Sequence, residues 1–214
     1  IKPYIGPPAK ALWFVGIGLH VVLIVYFTLK FVLGFSLEKV FASWFIVYVG
    51  IAMAGITAPA FDGMAIGSAC VKFGLAALAV LLVLVTVRYL KKPVPKPDQP
   101  LICIYAAPTS LCIAGYVQSV TPKSLSLLMA LWAVATLLFV FACVKFVQYI
   151  KLPFFPSYAS FTFPFVISAI ASKQLMACAA NLGSPMPFLN TVVLIETVIA
   201  VCTTLYALAR YLVF

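Results

Sequence analysis

An all-α integral membrane protein with about seven transmembrane helices is predicted by three observations. Hydrophobic residues make up 65% of the 214 residues and charged residues only 8%, whereas a soluble domain carries about 25% charged residues. Seven apolar runs, each near the roughly 20 residues that cross a bilayer, are separated by short links rich in Pro, Gly or Lys. The runs also alternate between continuous greasy segments and segments interrupted by proline, glycine and hydroxyl residues. The chain therefore reads as one transmembrane domain, 1–214.

Residues 1–10 hold three prolines and two lysines and are expected to form an interfacial loop. A first span is predicted over about 12–33. A polar link with Glu38 and Lys39 leads to a second span over about 43–61, which carries Gly50, Gly55, Thr57 and Pro59. Asp62-Gly63 marks a tight turn with a solvated Asp62. The third span, about 66–90, has Leu81-Leu-Val-Leu-Val85 at its centre. Residues 91–100, with four prolines and three lysines, are expected to be an extended surface linker rather than an element. The remaining spans are placed over about 101–120, 125–150, 157–178 and 188–212, with turns at Thr121-Pro122 and at 181–187.

Spans two, four and six share small and hydroxyl residues and one proline each, Pro59, Pro108 and Pro164, spaced by 49 and 56 residues. That spacing reads as an internal repeat of one helical hairpin. Small residues allow close backbone approach between helices. The expected arrangement is two layers, with greasy helices toward lipid and kinked small-residue helices inside.

The formal charge of +10 comes from 14 Lys and Arg against 4 acids. Nine of the basic residues fall on one side of the spans and five on the other. The positive-inside rule makes the nine-charge side cytoplasmic, so the chain starts outside and ends inside. The location expected is the cell (plasma or inner) membrane, multi-pass. A nucleic-acid partner is not indicated, because no basic patch with exposed aromatics occurs. The six cysteines form no C-x-x-C pair; they read as small hydrophobes, with no metal or disulfide framework and no cofactor implied.

The stretch Pro156–Lys173 is the least greasy of the long spans and holds Phe161, Phe163 and Phe165. Pro164 lacks an N–H for the Ser160 carbonyl, so a helix here must bend. At 100° per residue Phe163 shares a face with Ala159, Ser160 and Ile167, while Phe161 and Phe165 point away. Two readings follow: a plug in a narrow polar path, or an ordinary proline-kinked core helix. His20 is the one histidine, within span one; it is a candidate proton relay or an interhelical hydrogen bonder. Glu196 is an acid within span seven, a functional candidate by default, either coupling flux to protons or pairing with a neighbouring helix. Lys173 either attracts anions into a vestibule or snorkels. Enzyme chemistry is not expected, since paired intramembrane aspartates and a facing Ser–His pair are both lacking. A retinal-type lysine in the last span and seven-helix receptor signatures are lacking too.

Tyr105-Ala-Ala-Pro108-Thr-Ser-Leu-Cys112-Ile-Ala-Gly115-Tyr116 and Ser157-Tyr-Ala-Ser-Phe161-Thr-Phe163-Pro164, supported by Trp44–Gly50 and Thr57-Ala-Pro59-Ala-Phe61, resemble the tellurite-resistance/dicarboxylate transporter family. That family includes bacterial tellurite-resistance proteins, malate and sulfite exporters, and plant guard-cell anion channels. The resemblance implies a ten-helix, quasi-fivefold fold of helical hairpins, often trimeric, with kinked inner helices lining a pore in each protomer. It makes Phe163 the residue that occludes the pore. Gly55, Thr57, Pro59, Pro108, Ser110, Cys112, Ser160, Pro164 and Ile167 become pore-lining or kink candidates. The chain departs from the pattern by lacking the first three helices, which suggests an incomplete chain.

The expected function is an anion channel or transporter for C4-dicarboxylate, sulfite or chloride-like small anions, with a phenylalanine-occluded pore. One alternative is a proton-coupled anion exporter using Glu196 or His20. Another is a seven-helix structural or signalling membrane protein that moves nothing.

Overall fold

The computed structural model describes residues 6–214. Seven helical segments are long and apolar enough to cross a membrane: α1 (Pro7–Val32), α2 (Trp44–Phe61), α3 (Met64–Lys91), α4 (Lys96–Ser119), α5 (Leu125–Tyr149), α6 (Pro156–Asn181) and α7 (Phe188–Val213). The odd-numbered helices have no proline beyond their first turn, and their Leu- and Val-rich runs form long helices; only α1 changes, to a wide π-helical turn over Thr28–Val32. The even-numbered segments break. In α2, α-helix over Trp44–Tyr48 gives way to a 3₁₀ turn at Gly50–Ala52, resumes over Met53–Thr57 and closes in a 3₁₀ turn at Ala58–Phe61. α4 is 3₁₀ over Lys96–Ala106 and α-helical over Ala107–Ser119. α6 is 3₁₀ over Pro156–Phe161 and α-helical over Phe163–Asn181.

These breaks revise the proline argument. Pro108 and Pro164 do not kink running α-helices; each occupies the second position of a helix that starts anew. A missing N–H costs nothing there, because first-turn N–H groups have no partner within the helix. The residue in the matching position of α2 is Ala54, not Pro59. Pro59 lies in the terminal 3₁₀ turn and is exposed. The repeat is thus one of backbone breaks, with prolines at two of the three.

Two sequence expectations shift for similar reasons. Residues 7–10 belong to α1, not to a loop, because Pro7 and Pro8 fall in the first turn, where proline fits; residues 1–5 of that loop lie outside the described residues. The linker 91–100 is shorter than expected, since the 3₁₀ segment begins at Lys96 and takes in Pro97 and Pro100.

The layering is visible in burial. Within its most apolar window α4 is 89% buried, against 44% for α2 and 56% for α6, whereas α1, α3, α5 and α7 reach 0, 33, 22 and 22%. α4 is therefore the centre of the bundle. Its contact with α2 and α3 needs two glycines. A Cβ on Gly115 would stand 2.7 Å from Val71 Cγ2 and 2.9 Å from the Ala52 carbonyl oxygen, and one on Gly55 would stand 2.3 Å from the same Val71 methyl. Here the small residues bring backbones together, as expected for helices that gain little from burying apolar surface away from lipid.

Side chains close the cation-rich end. Arg88 is buried and donates to the carbonyls of Lys92 (2.7 Å) and Pro93 (3.3 Å), which folds the chain back over the end of α3. Lys92 pairs with Glu38 at 2.9 Å. Tyr206 on α7 donates to the Ile150 carbonyl at 2.6 Å, and Arg210 reaches the Tyr206 hydroxyl at 2.9 Å. At the other end Asp62 takes a left-handed conformation, φ 54°. Its side chain is exposed, as expected for a solvated turn, with the Lys10 ammonium of α1 3.8 Å away.

Candidate functional site

The three broken segments meet along a groove of about 510 Å3. α2 contributes Phe45, Ile46, Val49, Gly50 and Met53; α4 contributes Leu101, Ile104, Ala107, Pro108 and Leu111; α6 contributes Pro156, Ser157, Ala159, Ser160, Phe163 and Pro164; His20 reaches in from α1. The lining contains no Asp, Glu, Lys or Arg. The backbone breaks of all three segments border it or lie one turn away.

Phe163 is the first residue of the α-helical half of α6, next to the irregular Thr162 (φ −105°, ψ −90°). Its neighbours in the triplet are fully buried. Phe161 packs edge-on against Phe146 with centroids 5.0 Å apart, and Phe165 packs against Phe139 at 5.7 Å. Phe163 has 44% of its surface exposed, on the groove. The angular argument that separated the three rings therefore matches their packing.

The polar groups around the groove are held by backbone. Ser160 Oγ lies 2.6 Å from the Pro100 carbonyl and 2.7 Å from that of Ser157, while the Ser157 hydroxyl donates to the Pro97 carbonyl. These bonds lash the 3₁₀ half of α6 to the 3₁₀ half of α4. The signal for them was present as two Ser–Pro pairs at a common offset along the chain, but helix periodicity alone does not reveal it. His20 Nε2 lies 2.9 Å from the Val47 carbonyl, beside the break in α2. Gly50 makes room for the ring: a Cβ there would be 3.1 Å from His20 Cε1. His20 thus makes an interhelical hydrogen bond from the edge of the groove.

The remaining candidates lie elsewhere. Ser110 is buried between α4 and α6, with Oγ 2.9 Å from the Ala106 carbonyl and 3.2 Å from Ser168 Oγ. Cys112 and Ile167 are buried in helix contacts, and Gly55 sits against Val71. Thr57 accepts a hydrogen bond from Trp13 Nε1 at 2.8 Å and borders a second cavity between α1 and α2. Lys173 is exposed beside the groove between α6 and α7. Glu196 is buried away from the Phe163 groove. Ser172 of α6 is beside it, and the Ser172 hydroxyl in turn accepts from Trp132 Nε1 of α5 at 3.1 Å.

An inner layer of interrupted helices around an uncharged groove, within an outer layer of helices long enough to cross a bilayer, defines a multi-pass membrane protein. The profile of the voltage-dependent anion channel (SLAC1) family matches residues 4–212. The chain belongs to that family, the same one that the Pro108 and Pro164 motifs resemble. It is a family of channels and transporters rather than enzymes. Comparison with curated proteins and with solved structures gave no match.

Proposed function

We propose that the protein conducts small anions through a path bordered by α2, α4 and α6, and that the Phe163 ring closes this path. The observation that carries the reading is the exposure of that one ring. In a triplet of phenylalanines on a mostly buried helix, a single side chain is left without ring contacts among the described residues, and it stands in a groove lined by all three broken helices. A hydrophobic ring at a constriction blocks hydrated ions by excluding water. The lack of acids in the lining removes repulsion for anions, and because the Ser157 and Ser160 hydroxyls are engaged by backbone carbonyls the wall holds no strong anion site. Such a wall suits a permissive conduit for chloride-like ions, sulfite or C4-dicarboxylates. The groove is only partly enclosed by these helices, so a closed conduit needs a further wall; by family resemblance that wall belongs to a quasi-fivefold ring of inner helices in each protomer of a trimer. The proposed orientation in the cell membrane places the Glu38–Lys92 end in the cytoplasm, following the excess of basic residues there.

Anion-replacement electrophysiology on the intact channel, with and without Phe163→Ala, tests this reading. Larger anion currents in the variant support it, and unchanged currents at normal surface expression overturn it. A proton-coupled exporter is less well supported, because Glu196 is buried outside the lining of the groove.

A further inference from the structure

Another cavity, of about 580 Å3, opens between α3, α4 and α5 on a different face of α4 from the Phe163 groove. Leu137, Leu138 and Phe141 make one apolar wall, and Thr86 faces the Tyr105 hydroxyl at 3.1 Å. Lys92 and Lys145 stand in the lining, and no Asp or Glu does. The two lysines are held differently. Lys92 is engaged by Glu38 at 2.9 Å. Lys145 Nζ donates to the amide oxygen of Gln148 at 3.0 Å and lies 5.7 Å from the Phe141 ring centre and 6.0 Å from that of Tyr149. Among the described residues no carboxylate is within ion-pair distance of Lys145.

We propose that this cavity binds a phospholipid with an anionic headgroup. Leu137 is 72% exposed, so the apolar wall faces the hydrocarbon directly and accepts an acyl chain. The ammonium of Lys145 sits at the end of α5, where a headgroup phosphate would lie. Basic pockets between membrane helices on the cation-rich side select lipids in this way. The Glu38–Lys92 pair sets the strength of the site, because it withholds one of the two cations from the phosphate.

The test is native mass spectrometry of the intact protein in detergent with equimolar dioleoyl phosphatidylglycerol and dioleoyl phosphatidylcholine. One unpaired lysine supports a preference of about fivefold for the anionic lipid. Lys145→Gln is expected to bring the ratio near parity, Glu38→Gln to raise it by freeing Lys92, and Lys30→Gln, outside the cavity, to leave it unchanged. The opposite directions of the first two variants separate a headgroup site from general damage to the fold. Excess inorganic phosphate is expected to leave the lipid bound. Equal retention of both lipids, a preference indifferent to Lys145→Gln, a fall with Glu38→Gln, or displacement by phosphate alone would each overturn the proposal.

Discussion

Ser110 of α4 and Ser168 of α6 place their hydroxyl oxygens 3.2 Å apart, and both lie within hydrogen-bond distance of the Ala106 carbonyl, where α4 changes from 3₁₀ to α-helix. Ser168 also reaches the Pro164 carbonyl at 3.0 Å. A backbone break inside a membrane protein exposes carbonyls that lipid cannot satisfy. Here α6 side chains reach the carbonyls of the interrupted half of α4, Ser168 to Ala106 and Ser160 to Pro100, which fixes the register of α4 against α6 and hence the position of Phe163.

This pairing should be measurable as a coupling. Ser110→Ala and Ser168→Ala each remove one donor from a buried carbonyl and are expected to destabilise by about 1 kcal/mol. A double-mutant cycle on thermal unfolding in detergent should give a coupling near 0.6 kcal/mol, the usual size for polar contacts between membrane helices. Strict additivity would show that the two hydroxyls do not act together.

Gly115→Ala should be more damaging than either serine change. The new Cβ would meet Val71 Cγ2 at 2.7 Å and the Ala52 carbonyl oxygen at 2.9 Å, and overpacking of this kind costs about 1–3 kcal/mol. Adding Val71→Ala removes one of the two clashes. The double variant is therefore expected to melt above Gly115→Ala alone; no recovery would place the strain at the Ala52 carbonyl instead.

At the surface, the Lys92 ammonium holds Glu38 below the ordinary carboxylate range, first by its hydrogen bond and then by its charge. A carboxyl whose folded pKa is depressed contributes stability above its unfolded pKa and loses it as pH falls through the folded value. The pair is exposed, so the effect is small and salt-sensitive. Carbon-13 NMR titration of Glu38 should show a lowered midpoint that returns to normal in Lys92→Gln.

Glu196→Gln separates the structural from the coupling role of the intramembrane acid. With its neighbour Ser172 in place, the amide is expected to leave both anion flux and its pH dependence essentially unchanged. Loss of the pH dependence would restore the proton-coupled reading.

The layered, seven-span membrane architecture was legible because it depends on run length and composition. The alternation of greasy and small-residue spans announced which helices lie inside, and helical geometry alone separated Phe163 from Phe161 and Phe165. The finer site was less legible. Ile167 lies one turn from Phe163 in the same unbroken α-helix, as 100° steps place it, yet it is buried; periodicity gives the face of a helix but not how far along that face a neighbouring helix covers it. Proline marks the breaks at 108 and 164, but Pro59 misleads, because in α2 the break at Gly50–Ala52 contains no proline. Arg88 counted only as an interfacial cation; its burial depends on the path of the Lys92-Pro93 backbone, which no local pattern encodes.

Whole-cell current recording of the intact channel with Phe163→Ala tests whether the exposed Phe163 ring closes an anion path. The prediction is a several-fold rise in anion conductance with unchanged exclusion of cations, and a smaller rise for Phe163→Leu, which keeps part of the apolar plug. Currents equal to those of the unaltered protein, at equal surface expression, would contradict it.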